Sequence, residues 1–251
     1  MKKTFAVTTF SLTLILACLC VSAQSPSREN LLKEIDAKTK EIEAKRAELT
    51  ALIKKILDVS DTDRQEFAAF LKQPQTGMIR LLPREKYDGK GPLAINGGGA
   101  YYSFVLKTHE YGHGSDISLE QGQLSVGFAG ADYGMLLNIG DVSFDQVSNH
   151  NATRTLLDYK SPIKEADIRA EYQKLWKGIE LTGFNFQRRV PANVSNTYLL
   201  RSISPDASDI AVAFRIIRKD TDGSLILAYK VLKSFPRPAM ERTQTAALEN
   251  R

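Results

Sequence analysis

Cysteine is scarce in this chain, and its two copies, Cys18 and Cys20, both fall within the first twenty residues. From Gln24 onward the fold must therefore hold by packing alone, without disulfides, and no thiolate nucleophile or cysteine-ligated metal is available there. An excess of one charge sign is also missing. The net charge is +5, Lys2 and Lys3 supply two of those charges, and the other basic residues are spread among acids. That balance excludes the basic face of a nucleic-acid-binding protein. No nucleophile-elbow pattern occurs, and Gly97-Gly98-Gly99 is not followed by the lysine and hydroxyl of a P-loop. The triple glycine reads instead as a flexible turn or a close backbone approach.

What the chain does have begins with the layout of an export signal. Lys2 and Lys3 precede an apolar run from about Phe5 to Val21, and Val21-Ser22-Ala23 forms a small-residue cleavage site. The run is too short for a membrane span, so residues 1–23 are expected to be removed as a signal peptide, leaving no transmembrane span. The expected location is periplasmic or extracellular, in a bacterium. Ile15-Leu16-Ala17-Cys18 offers the alternative of a lipid anchor on Cys18.

Residues 24–74 read as a helical stalk. Ser25 or Ser27 can cap a helix reaching about Leu57, with Pro26 in its first turn. Leu32, Ile35, Thr39, Ile42, Arg46, Leu49, Ile53 and Ile56 alternate three and four apart, a heptad seam with Thr39 and Arg46 at a-type positions. So narrow a seam needs another helix, a second copy of the chain or the following domain to pack on. Asp61 is expected to cap a short second helix carrying Phe67, Phe70 and Leu71, ended by Pro74. Asp58, Asp61 and Asp63 lack the glycine and glutamate of a calcium loop, which favours capping.

Residues 75–235 carry the composition of β-strands. Expected strands cover Tyr101–Thr108, Ser118–Phe128, Tyr133–Ile139, Ile179–Val190, Thr197–Ile203, Ile210–Arg218 and Leu225–Leu232. Thr221-Asp222-Gly223 is expected to close a hairpin. One helix interrupts them, capped by Ser161, with Pro162 in its first turn and Gly178 at its end. From Pro236 to Arg251 the chain is polar and reads as a disordered tail. The expected fold class is α+β, mainly β: an antiparallel sheet, barrel-like or sandwich-like, with a covering helix, behind the long heptad helix.

One stretch could carry chemistry. His109-Glu110-Tyr111-Gly112-His113 has the HExxH spacing, and these five residues resemble the zinc-binding motif of the zincin peptidases. The resemblance implies a helix with His109 and His113 as zinc ligands and Glu110 as general base, Glu165 or Glu171 being available as a further ligand. Asp116 and Leu119 stand where the metzincin branch has its glycine and third histidine. The flanking residues favour strand before His109 and a turn after His113. On an extended strand the two imidazoles lie roughly 13 Å apart at ~3.3 Å per residue, too far to share one ion.

The expectation is thus a non-enzymatic, secreted or envelope-associated binding or structural module without a cofactor. Its partner is an unknown ligand or envelope component, and its helix is available for self-association. Tyr101, Tyr102, Tyr111, Asp116, Asp132 and Tyr133 are the candidate ligand-binding residues, on the condition that exposed aromatics bind and buried ones are core. Asp116 and Asp132 also form a candidate acid–base pair for glycan chemistry. The alternative is a zinc-dependent hydrolase.

Overall fold

The computed structural model describes residues 27–89, 95–109, 111–112, 114–128 and 130–241. The proposed signal peptide, Cys18, Glu110 and His113 lie outside the described residues. Two compact units, residues 1–50 and 51–251, divide within the first helix.

Helix α1 spans Arg28–Leu57, and the Ser27 hydroxyl caps it by accepting from the Asn30 amide at 3.2 Å. None of its side chains is buried. Leu32 and Ile35 are both 60% exposed and Ile42 51%, so the heptad seam faces solvent over its first half. Exposed intrahelical pairs such as Lys33–Glu29 and Lys40–Asp36 support the helix by only a few tenths of a kcal/mol each, about 0.3–0.5.

The second unit is α+β and mainly antiparallel β. Its elements in order are α2 (Asp61–Glu66), α3 (Ala68–Leu71), β1 (Thr76–Leu81), α4 (Arg84–Tyr87), β2 (Tyr101–Tyr102), β3 (Ile117–Glu120), β4 (Gln123–Ser125), β5 (Tyr133–Asn138), α5 (Phe144–Val147), α6 (Asn151–Asp158), α7 (Glu165–Lys177), β6 (Ile179–Leu181), β7 (Phe184–Phe186), β8 (Arg189–Pro191), β9 (Thr197–Ser204), β10 (Ser208–Lys219) and β11 (Leu225–Ser234). A five-stranded sheet runs β1-β11-β10-β9-β5, a four-stranded sheet runs β2-β3-β4-β8, and β6-β7 is a separate hairpin. No sheet closes into a barrel among the described residues.

The large sheet is the middle of three layers, and strand alternation decides what each face meets. Along β10, Ile210, Val212 and Phe214 point to the small sheet, where Ile117, Leu119, Leu124 and Val126 meet them. Ala211 and Ala213 point the other way, toward Val147, Leu156, Ile168 and Leu175 of α5, α6 and α7. The alanines leave room for helices to lie close on that face. Beside them Phe67, Phe70 and Leu71 pack on Met78, Ile226 and Ala228. Arg218 grips Asp63 with two guanidinium nitrogens, which holds α2 on the sheet and keeps the Asp63 carboxyl below its ordinary range.

Several local expectations need correction. Ser60, not Asp61, caps α2, accepting from the Asp63 amide at 3.1 Å. The run 118–128 breaks into β3 and β4 because Gln121 and Gly122 take φ of 50° and 71°, the paired left-handed conformation of a tight hairpin turn. Thr182 and Gly183 do the same between β6 and β7. Only Tyr101 and Tyr102 of the expected Tyr101–Thr108 strand are extended, since the chain turns over Phe104–Lys107 and closes with the Ser103–Thr108 bridge. Ser161 does not cap α7, which starts three residues beyond Pro162. There the Glu165 amide donates to Glu241 O at 3.1 Å, and the Glu241 amide donates to Ile163 O at 2.8 Å. A backbone segment takes the place of a capping side chain. It also ties down residues 236–241 of the expected tail, and Met240 packs on the helix-side core. Residues 242–251 lie outside the described residues.

Candidate functional site

The zincin-like motif is described at three of its five residues. Of its described residues, His109, Tyr111 and Gly112 are in no helix. The Tyr111 amide donates to Asn96 O at 3.0 Å instead of to the carbonyl one turn back. His109 Nε2 donates to Arg80 O at 2.8 Å, and its ring meets Tyr102 edge-on with centroids 4.8 Å apart. Burial pushes this imidazole below the ordinary histidine value. His109 thereby covers a carbonyl of the edge strand β1 with an aromatic donor, an occupation that leaves Nε2 without a free lone pair. Among the described residues no group of three His, Cys, Asp or Glu is placed to hold a metal ion.

The six candidate ligand residues separate by depth. Tyr102 packs among Phe104, His109 and Tyr229 between the sheets, and Tyr133 lies in the core under the helices. By the exposure criterion both are core. Asp132 is buried, and Asp116 is fully buried, accepting from the Phe104 amide at 2.7 Å and from Ser103 Oγ at 3.4 Å. Desolvation outweighs those bonds and raises the Asp116 carboxyl to about 6. Neither aspartate is at the surface, as a glycan acid–base pair requires.

Tyr101 and Tyr111 do come together, and they mark a cleft on the outer face of the small sheet. Strand register builds it. Tyr101 pairs with Ser118, Ser118 with Ser125, and Ser125 with Arg189, so one row of four side chains crosses the sheet on the face away from the core. The two middle members are serines and the two outer ones are large. A depression of about 150 Å³ follows, with Ser118 and Ser125 as its floor. Tyr111 and Phe128 wall one side, with ring centroids 4.7 and 5.1 Å from that of Tyr101. Tyr111 donates from its hydroxyl to Phe128 O at 3.2 Å, tying the two loops together. Gly97 is needed for this closure: its φ is 78°, and a Cβ there would run into the Tyr101 ring.

Three guanidinium groups and one carboxylate complete the lining. Glu120 is shared between Arg84 at 3.3 Å and Arg189 at 3.1 Å, and Arg84 is further held by Asp88 at 3.0 Å. Arg189 also donates from Nε to Ser125 Oγ at 3.0 Å. Arg188 differs. It pairs with no carboxylate of the described residues; it donates from Nε to Val126 O at 2.9 Å and from Nη2 to Gly127 O at 2.5 Å. Its guanidinium lies 4.3 Å from the Trp176 ring centroid and 4.9 Å from that of Tyr172. Burial pulls its pKa down, with repulsion from Arg189 adding to the effect. Cation–π contact of this kind contributes ~0.5–2 kcal/mol, which offsets part of the desolvation but supplies no counter-charge.

Sequence reasoning found Tyr101 and Tyr111 and missed Arg84, Arg188, Arg189, Glu120, Ser118, Ser125 and Phe128. The adjacent pair Arg188-Arg189 within a β-prone stretch was the available signal, diluted by arginines and lysines elsewhere. No helix of the described residues is long and apolar enough to cross a membrane. The chain matches no protein-family model, no curated protein and no solved structure.

Proposed function

We propose that this is an exported, non-enzymatic binding module that takes an oxyanion, a carboxylate or phosphate carried on a larger ligand, in the Tyr101–Arg189 cleft, and that α1 joins copies of the chain. The observation that carries the ligand reading is Arg188: a half-buried guanidinium without a carboxylate partner among the described residues, beside two further arginines. Three cations, Arg84, Arg188 and Arg189, against two carboxylates, Glu120 and Asp88, leave a net positive charge at the depression, and a planar guanidinium suits an oxyanion's paired oxygens. The volume narrows the choice. About 150 Å³ is below the ~300–1,000 Å³ of pockets that enclose a whole drug-sized ligand, so a headgroup or a single acidic sugar fits better. Exposed Tyr111 walls the cleft and offers a stacking surface for the rest of such a ligand.

Isothermal titration of the protein with glucuronate, glucose 6-phosphate and glucose tests this. The charged sugars are expected to bind and glucose is not, with binding weakened as salt rises. The two acids distinguish a carboxylate from a phosphate preference. Arg188→Gln is expected to weaken binding about 10- to 100-fold, the loss of one charged hydrogen-bonding partner. Equal binding of all three sugars, or an unaffected Arg188→Gln variant, would reject the assignment.

A further inference from the structure

The side chains flanking the α1 seam decide how copies would meet. Leu32, Thr39, Arg46 and Ile53 occupy the a positions and Ile35, Ile42, Leu49 and Ile56 the d positions. The g positions are then Leu31, Lys38, Lys45 and Leu52, and the e positions Asp36, Glu43, Thr50 and Leu57. In the middle of the helix, g carries the bases Lys38 and Lys45, while e carries the acids Asp36 and Glu43 followed by Thr50. An antiparallel pair sets g against g and e against e, bringing lysine to lysine and acid to acid. A parallel pair in register sets the g residue of one heptad against the e residue of the next, so that Lys38 meets Glu43 of the second copy. Glu43 is open to it, since among the described residues it makes no ion pair within its own chain.

The layers add a number to the orientation. Leucine at a with isoleucine at d, as at 32 and 35, and isoleucine at both, as at 53 and 56, disfavour two strands and suit three or four. No layer has the β-branched a with leucine d that selects dimers, because the only leucine at d, Leu49, follows Arg46. Leu31 and Leu52 at g are 43% and 51% exposed and widen the apolar stripe at both ends, which a helix needs when it touches two neighbours rather than one.

We infer that α1 assembles as a parallel, in-register coiled coil of three or four copies of this chain, with Lys38–Glu43 pairing between neighbouring copies setting its direction. This rests on the reading that α1 associates at all, and the tests separate the two. Sedimentation equilibrium of the full chain is expected to give three or four protomers. A monomer removes association and the inference together; a dimer removes the layer argument alone. Ile35→Cys, in a Cys18→Ser, Cys20→Ser background, places one thiol near the N-terminal end of the seam. Parallel copies are expected to cross-link through it on mild oxidation. If it cross-links only when mixed with an Ile53→Cys chain, the helices are antiparallel and the orientation is wrong. Lys38→Glu alone is expected to weaken assembly at least 10-fold at low salt, and adding Glu43→Lys to restore it while circular dichroism shows the helix retained. Indifference to Lys38→Glu, or failure of the double exchange, overturns the pairing.

Discussion

Arg201 and Arg188 are both desolvated guanidinium groups seated against aromatic rings, yet they live under opposite conditions. Arg201 is 2% exposed under α6, with Nε and Nη2 on the two oxygens of Asp209 at 2.5 and 2.9 Å, Nη1 on Leu156 O at 3.0 Å, and the Phe235 ring beneath it. Its charge is cancelled and its donors are used. Arg188 has carbonyls and rings but, among the described residues, no anion. On the proposed reading, the same side chain is structural where the fold supplies the counter-ion and available for recognition where it does not. A surface arginine in water needs no such explanation; one drawn halfway into a cleft does.

The comparison makes its largest forecast at the closed site. Asp209→Ala leaves Arg201 charged and buried, and is expected to cost 3–5 kcal/mol of stability, about the range for breaking a buried pair from one side. Replacing both partners by apolar residues, Arg201→Met with Asp209→Leu, is expected to recover most of that loss, because no charge then remains unpaired. Arg188→Gln is expected to cost less than ~1 kcal/mol, since water reaches its place. Urea denaturation of the three proteins decides it. If Arg188→Gln is as damaging as Asp209→Ala, Arg188 is an internal prop and the cleft loses its meaning.

Asp116 sharpens the same contrast from the acidic side, as a buried carboxyl with no ion pair among the described residues. Its folded value of about 6 stands above the ordinary 3.8, so the folded protein keeps a proton that the unfolded chain has released. Its contribution to stability is therefore full below pH ~4, falls as pH rises toward 6, and is gone above that. The corresponding swing is about 3 kcal/mol. Asp116→Asn does not titrate. Plotted against pH, the stability of the parent minus that of the variant is expected to fall between pH 4 and 6 and then level off. A flat difference would mean that Asp116 is ionised and satisfied throughout.

How much of this was legible in the residues depends on range. The long strands near the C-terminus, β9, β10 and β11, are dense in apolar and β-branched residues and are largely buried on both faces, a strong turn joins β10 to β11, and the heptad spacing delimits α1; both kinds of signal are local. The short elements were not legible. Gln121-Gly122 and Thr182-Gly183 are weak turn sequences whose left-handed geometry is fixed by the strands they join. The α6 helix is only eight residues long, starts at Asn151 in a polar stretch, and is capped by a histidine, with His150 Nδ1 accepting from the Ala152 amide at 3.2 Å. The cleft was illegible for a deeper reason. Its row is assembled from four strands, so no window of sequence contains Tyr101, Ser118, Ser125 and Arg189 together, and the depression arises because two small residues happen to be adjacent in register.

That register makes the smallest effect on folding the most discriminating. Ser118 is 1% exposed, as deeply covered as many core residues, but it lines the cleft on the face turned away from the apolar interior behind the sheet. Ser118→Val raises the floor by a methyl group and removes a hydroxyl, while β-branching suits the strand. Folding stability is then expected to change by less than ~1 kcal/mol, and glucuronate binding to weaken about 10-fold as the depression shortens. Had Ser118 been packed as the core is, the added volume would force side chains off their rotamers and cost ~1–3 kcal/mol, with binding affected only through unfolding. Measuring stability and affinity on the one variant separates these cases, because a cleft loses its ligand before its fold and a core loses its fold first.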